Sequence, residues 1–90
     1  EGMKEIEVGS ICLARAGRDK GKYFIVSEVL EGGYVYIVDG KTRKLSKPKR
    51  KKRMHLRPAG AAPGELVQAL KAGIAQDARV REALATVKES

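Results

Sequence analysis

The sequence predicts a mainly β fold: a small antiparallel barrel over residues 6–58, then a linker over 59–64 and a helical C-terminal tail over 65–88. Short segments rich in Val, Ile, Tyr and Phe recur between glycines in the first part, which is typical of strands. No helical pattern separates these segments, so an antiparallel barrel is favoured over a parallel βαβ arrangement. After residue 63 the apolar spacing changes to that of helices. Ninety residues suffice for one small domain with an appendage.

Three strands are predicted first, at Ser10–Ala14, Lys22–Leu30 and Tyr34–Asp39. Glu31-Gly32-Gly33 joins the second and third strands as a hairpin loop, because adjacent glycines adopt the positive φ angles that such turns require. Asp39-Gly40 predicts a type I′ turn that leads into a short strand around Lys44–Lys47. A last short strand at His55-Leu56-Arg57 then closes the sheet.

The residues after the barrel divide into a linker and two helices. Pro58–Gly64 is rich in small residues and proline, which is typical of a linker. Gly73 weakens or ends the first helix, whose apolar stripe is Leu66, Val67, Leu70 and Ile74. Asp77 is the predicted N-cap of the second helix, whose stripe is Val80, Ala83, Leu84 and Val87. Each helix is short for independent stability, so we expect the pair to dock on another surface or to remain partly formed.

The net charge of +8 is concentrated in one segment of the chain. Residues 41–57 hold ten of the nineteen basic residues and no acidic one, which leaves nine basic against eleven acidic residues elsewhere. The five consecutive charges of Lys49–Arg53 repel one another, so they favour an anionic partner. A solvated basic loop that serves only solubility is the alternative interpretation.

The composition excludes several kinds of site. One cysteine and one histidine exclude an intramolecular disulfide and an ordinary zinc site, and we expect neither a metal nor a cofactor. No Ser/His/Asp or Cys/His constellation is present, so the chain is predicted not to be an enzyme. Gly17–Lys22 lacks the spacing and the following Ser/Thr of a phosphate-binding P-loop. Cys12 lies in an apolar strand and is predicted to be a small buried side chain.

The apolar segments are too short for a membrane span or a signal-peptide core, the longest being Tyr34–Val38 and Tyr23–Val26. The chain also begins with acidic residues, Glu1, Glu5 and Glu7, where a secretory leader would be basic. A single cysteine suits a reducing compartment. We therefore expect a cytoplasmic protein that does not enter the membrane.

The most informative stretch is Val8–Val26, which consists of an apolar strand, a glycine-bounded basic loop and a second apolar strand. Gly17 and Gly21 allow a tight reversal that brings backbone amides close to a ligand. Asp19 is expected to brace the loop by accepting from a neighbouring backbone amide. Four cations surround this turn and suit phosphate oxygens, namely Arg15, Arg18, Lys20 and Lys22. A simple hairpin with a charged tip is the alternative.

This stretch resembles the KOW motif of ribosomal and transcription-elongation proteins. The resemblance extends from Gly9 to Pro58, 50 of the 90 residues, and points to the bacterial KOW-domain RNA-binding proteins, which are similar to KOW-type large-subunit ribosomal proteins of archaea and eukaryotes. One departure is Phe24, near which many KOW motifs have a glycine. The matching segments are Ala16–Lys22, Asp39-Gly40, Arg43-Lys44-Leu45, Pro48–His55 and, in the tail, Ala75–Leu84. The resemblance implies an SH3-like barrel and contact with RNA, in particular ribosomal RNA or the ribosome, and it allows contacts with ribosomal proteins.

These features together predict a noncatalytic RNA-binding protein that recognises phosphates and shape, because duplex RNA hides its base edges in a deep groove. The basic loop and the basic segment are expected on adjoining surface. The predicted RNA-binding residues are Arg15, Arg18, Lys20, Lys22, Lys41, Arg43, Lys44, Lys47, Lys49, Arg50, Lys51, Lys52, Arg53 and His55, with the motif glycines Gly9, Gly17 and Gly21. Tyr23, Tyr34 and Tyr36 are candidates for base stacking, although packing in or at the edge of the barrel is favoured for them.

Three other partners are alternatives to RNA. An SH3-like protein-interaction module of the transcription or translation machinery, binding an acidic protein partner, is the alternative function. A peripheral membrane binder is disfavoured because no amphipathic helix with bulky aromatic anchors adjoins the basic run. Duplex DNA stays open, since phosphate contacts distinguish the nucleic acids poorly.

Overall fold

The computed structural model describes residues 6–88, so Glu1 and Glu5 of the acidic start lie outside the described residues. Two 3-10 turns, Glu31–Gly33 and Arg53–His55, each connect two consecutive strands. The strands and helices are β1 (Ser10–Ala14), β2 (Tyr23–Val29), β3 (Tyr34–Val38), β4 (Lys49–Lys52), β5 (Leu56–Ala61), α1 (Gly64–Ala72) and α2 (Asp77–Lys88). The prediction of a mainly β fold with a helical C-terminal part is therefore confirmed.

The five strands form one antiparallel sheet in the order β4-β3-β2-β1-β5. In a flat sheet the two edge strands would lie about 19 Å apart, four strand spacings. Only Arg53–His55 joins them, and the chain from Lys52 to Leu56 can span about 14 Å at most. The sheet must therefore curl so that its edges approach, which gives a barrel-like shape.

Residues alternate between the two faces of this curled sheet and divide the apolar core in two. The barrel core lies inside the curl and consists of Ile6, Cys12, Ala14, Phe24, Val26, Val35, Ile37 and Leu56. The helix-facing core lies between the outer face and the helices and consists of Ile11, Ile25, Val38, Ala62, Leu66, Leu70, Val80, Ala83 and Leu84. The helices therefore dock on the sheet, the first of the two outcomes that the sequence left open.

The connection between β3 and β4 differs from the prediction. The expected strand around Lys44–Lys47 is wrong, because these residues lie in a turn, and the fourth strand is Lys49–Lys52. A type I′ turn at Asp39-Gly40 is also wrong: such a turn requires positive φ at both central residues, and among residues 6–88 only glycines have positive φ. The Asp39 carboxylate instead accepts from the backbone N–H groups of Lys41 and Arg43, at 2.9 and 2.7 Å.

The segment predicted to be a linker is part of the sheet. β5 continues to Ala61 and pairs with β1, with a register shift between Ile11 and Cys12. Pro58 is tolerated in this strand because β5 is an edge strand, where a missing N–H breaks no ladder. The helix then begins at Gly64, so the expected linker is reduced to two residues.

The two helices follow their predicted apolar stripes except at Ile74, and the predicted cap at Asp77 also differs. Gly73 ends α1 in the left-handed conformation, as predicted, so Ile74 lies beyond the helix and is 72 % exposed instead of buried. Asp77 is the first residue of α2, and the carbonyl oxygen of Gln76 accepts the first helical N–H bonds. Its carboxylate accepts from the backbone N–H of Leu45, so Asp77 bonds a distant loop rather than capping its own helix.

Candidate nucleic-acid interface

The loop between β1 and β2, residues 15–22, is called the basic loop below. Its base is closed by backbone hydrogen bonds from Ala14 N–H to the Lys22 oxygen and from Gly21 N–H to the Ala14 oxygen, at 2.9 and 2.8 Å. Gly17 and Gly21 both have positive φ, as the predicted reversal requires. The four predicted cations of this loop are all exposed, namely Arg15, Arg18, Lys20 and Lys22.

Asp19 is the acid of the basic loop and is only 6 % exposed. Arg43 donates to its carboxylate at 3.4 Å, and the Lys49 ammonium lies 3.5 Å from the same oxygen. The expected bond from a neighbouring backbone amide is therefore wrong: the partners of this carboxylate are two cations of the basic segment 41–57. Asp19 thus ties the basic loop to the basic segment while its own charge is neutralised.

Lys51 makes a second tie between the loop and the segment. Its ammonium donates to the Ala16 carbonyl oxygen at 2.9 Å, and the residue is 8 % exposed. In β4 the side chains alternate, so Lys49 and Lys51 face the basic loop while Arg50 and Lys52 lie on the opposite face. Lys51 is therefore a buried structural residue and does not belong among the exposed phosphate-binding cations.

The three tyrosines are all half-buried. The Arg50 guanidinium lies 4.2 Å from the Tyr34 ring centroid, a cation–π contact, and Tyr36 is the cross-strand partner of Arg50. Tyr23 packs against the helix-facing core. Each tyrosine is thus partly covered by packing, the role that the sequence favoured over base stacking.

Residues 39–48 form a second loop that carries exposed Lys41, Lys44 and Lys47. Helix α2 holds this loop at two points. The carboxylate of Asp77 accepts from the Leu45 N–H at 2.8 Å, and Arg81 donates to the Gly40 carbonyl oxygen at 2.6 Å. Sequence reasoning missed both contacts because the partners lie more than thirty positions apart: Asp77 was predicted only as an N-cap, and Arg81 was not singled out.

The predicted residues thus fall into three groups. The buried residues are Lys51 and Gly9. Gly9 has a packing role: a β-carbon at this position would lie 2.5 Å from the Val67 side chain, so the glycine lets α1 approach the sheet. The Arg15 N–H donates to the His55 carbonyl oxygen at 2.9 Å, which brings the turn 53–55 beside the basic loop. The half-buried residues are Arg43, Lys49, Arg53 and His55. The exposed ones are Arg15, Arg18, Lys20, Lys22, Lys41, Lys44, Lys47, Arg50 and Lys52, and Arg57 of the basic segment is exposed as well.

Cys12 is fully buried, as predicted, and burial raises the pKa of its thiol to about 11. Within residues 6–88, no cluster of three or more His, Cys, Asp or Glu side chains is arranged to hold a metal ion. Neither helix of that range has the length and apolar character needed to cross a membrane. The chain was also compared with models of known protein families, and none matches it.

Proposed function

We propose that the chain is a noncatalytic RNA-binding protein of the KOW type, with an SH3-like barrel, which associates with the ribosome and binds RNA phosphates. The basic loop and the basic segment are the proposed contact surface. The motif resemblance supports the family, and the distribution of charge on the folded chain supports the mode of binding.

The observation that carries the proposal is the pair of ties between the two basic elements. Asp19 joins the loop to Arg43 and Lys49, and Lys51 joins β4 to the loop backbone. These ties use cations that would otherwise repel one another. They leave ten exposed Lys and Arg side chains on the two elements, of which Arg50 and Lys52 lie on the face of β4 away from the basic loop. Since Asp19 is buried and paired, no free acid of these two elements opposes a phosphate.

Phosphate binding of this kind has a measurable signature in salt. Five to six phosphate contacts predict a slope of log affinity on log salt of about −4 to −5, because each contact releases condensed counterions. Contacts with the RNA backbone also predict similar affinity for duplexes of different sequence. A flat salt response would reject phosphate binding as the mechanism.

The experiment is a fluorescence-anisotropy titration of a labelled RNA hairpin across a salt series, with two charge-matched double variants. Arg18→Gln/Lys20→Gln removes two exposed cations of the basic loop, and we expect the slope to shrink by about 1.4–1.8. Lys71→Gln/Lys88→Gln removes two exposed cations of the helices, outside the proposed surface, and we expect a much smaller change. Equal losses in both variants would show that the contact is not located at the basic loop.

The ribosomal part of the proposal has its own test. The protein should cosediment with the large ribosomal subunit at low salt and dissociate as salt rises. Absence of cosedimentation at every salt concentration would reject ribosome association while leaving RNA binding intact. A pulldown of a protein partner that resists RNase treatment would instead favour the SH3-like module that binds an acidic protein partner.

A further inference from the structure

The contacts between α2 and the second loop, residues 39–48, assign a role to the C-terminal helix beyond its packing on the sheet. We propose that α2 is a positioning element for the RNA-binding surface: Asp77 and Arg81 clamp residues 39–45 so that the cations of this loop face the ligand in a fixed arrangement. This inference rests on the proposed function and extends it to residues that carry no phosphate contact of their own.

The clamp holds the loop on both sides of its cations. Arg81 donates to the Gly40 carbonyl oxygen at 2.6 Å, and Asp77 accepts from the Leu45 N–H at 2.8 Å. Lys41 and Lys44 lie between these two fixed points and are exposed. The loop segment is therefore restrained at its backbone, while the side chains of Lys41 and Lys44 stay exposed and can meet an anion.

Arg43 connects the clamp to the rest of the surface. It lies between the two clamped positions and donates to Asp19 of the basic loop. The contacts thus run from α2 through residues 39–45 to the basic loop without a break. A displacement of the second loop on α2 would also loosen the contact that holds the two basic elements together.

Helix α2 is itself anchored independently of the clamp. Val80 and Leu84 are 0 and 2 % exposed in the helix-facing core, and Ala83 is buried there too. Gly40 lies so close to the helix that a β-carbon at this position would be 2.5 Å from the Asp77 carbonyl oxygen. The helix is therefore a fixed base against which the loop rests, and removal of one clamp contact leaves its packing in place.

Two variants of one residue test the clamp. Asp77→Ala removes the acceptor of the Leu45 N–H bond, whereas Asp77→Asn keeps an oxygen acceptor of the same shape. Both variants raise the net charge from +8 to +9, and both remove the same favourable charge from the start of α2. Long-range electrostatics alone would therefore tighten RNA binding equally in both.

The clamp predicts that the two variants differ in their affinity for the labelled RNA hairpin. Asp77→Ala should bind about three- to tenfold more weakly than the unaltered protein, the scale of ordering one long side chain at an interface, although its charge is more positive. Asp77→Asn should bind as well as the unaltered protein or slightly better. Amide hydrogen exchange should show lost protection at Leu45 in Asp77→Ala only, with α2 still protected in both variants.

The results distinguish failure of the proposed function from failure of the clamp. If the unaltered protein does not bind RNA, the proposed function fails and the hydrogen-exchange result alone decides whether the clamp exists. If it binds RNA and the two variants bind equally well, the clamp has no part in recognition and the inference is overturned. If Leu45 stays protected in Asp77→Ala, the hydrogen bond does not restrain the loop and the inference is again overturned.

Discussion

Asp19→Asn is the sharpest test of how the two basic elements are held together. The substitution keeps the shape of the side chain but removes a carboxylate that is 9 % exposed and lies within 3.5 Å of two cations. Arg43 and Lys49 would then face each other near a neutral amide, with like charges and no counterion. We expect the folded state to lose stability even though the variant retains one acceptor oxygen.

The magnitude follows from the exposure of the partners. Breaking a fully buried ion pair costs about 3–5 kcal/mol and breaking a surface pair about 0–1 kcal/mol. The side chains of Arg43 and Lys49 are 31 and 30 % exposed, so solvent screens part of the interaction and we expect a loss of about 2 kcal/mol. In a domain of this size that corresponds to a decrease in melting temperature of roughly 8–16 °C.

The assay is thermal unfolding followed by circular dichroism, with Glu82→Gln as the matched control. Glu82 pairs with Arg79 on the surface of α2, where both side chains are 64 % exposed, and its substitution changes the net charge by the same amount. We expect this control to alter the free energy of unfolding by about 0.5 kcal/mol or less. If the two variants have the same melting temperature, the Asp19 carboxylate does not stabilise the contact between the basic loop and the basic segment.

Three further predictions concern packing and buried groups. Gly40→Ala should destabilise the protein by about 1–3 kcal/mol more than Gly33→Ala in chemical denaturation, because both positions have positive φ but only Gly40 would press a β-carbon against α2; equal losses would contradict the close approach. Lys51→Met keeps the apolar stem and leaves the Ala16 oxygen without its donor, so unfolding should become easier by about 1–3 kcal/mol, and an unchanged denaturation midpoint would speak against this buried contact. The Cys12 thiol should react with a disulfide reagent at pH 8 only as fast as the protein unfolds, because burial raises its pKa to about 11 and keeps it protonated; rapid labelling of the folded protein would refute this. The contribution of the protonated thiol to the free energy of unfolding is complete below about pH 9 and decreases as the pH rises towards 11.

Local signals in the sequence were sufficient for most of the fold. The apolar run of β1, the glycine pair at Gly32-Gly33 and the stripe of α2 each have a pattern that one short segment carries by itself. These elements appear where they were predicted, within a residue or two at each end. Gly73 likewise ends α1, because a left-handed residue is a local property of the chain.

Features that depend on distant contacts could not be predicted in this way. β4 consists of four basic residues, which have little intrinsic preference for strands, and pairing with β3 is what makes it one. Lys51 belonged to a run of charges with no sign that one member would turn inward to Ala16. The partners of Asp19 and Asp77 lie 24 to 32 positions away, so only the fold brings them together.

The edge position of β4 has a consequence for how the sheet meets other chains. An edge strand presents unpaired backbone groups that can template a further strand, and such edges are commonly protected by lysines or proline. Here one edge is the Lys49–Lys52 strand, and the opposite edge is β5, which carries Pro58 and a register shift. A second copy approaching β4 strand to strand would bring four exposed like charges together, Arg50 and Lys52 from each copy. The charges proposed to attract RNA therefore also oppose strand-to-strand aggregation, and this protection should weaken when phosphates neutralise them.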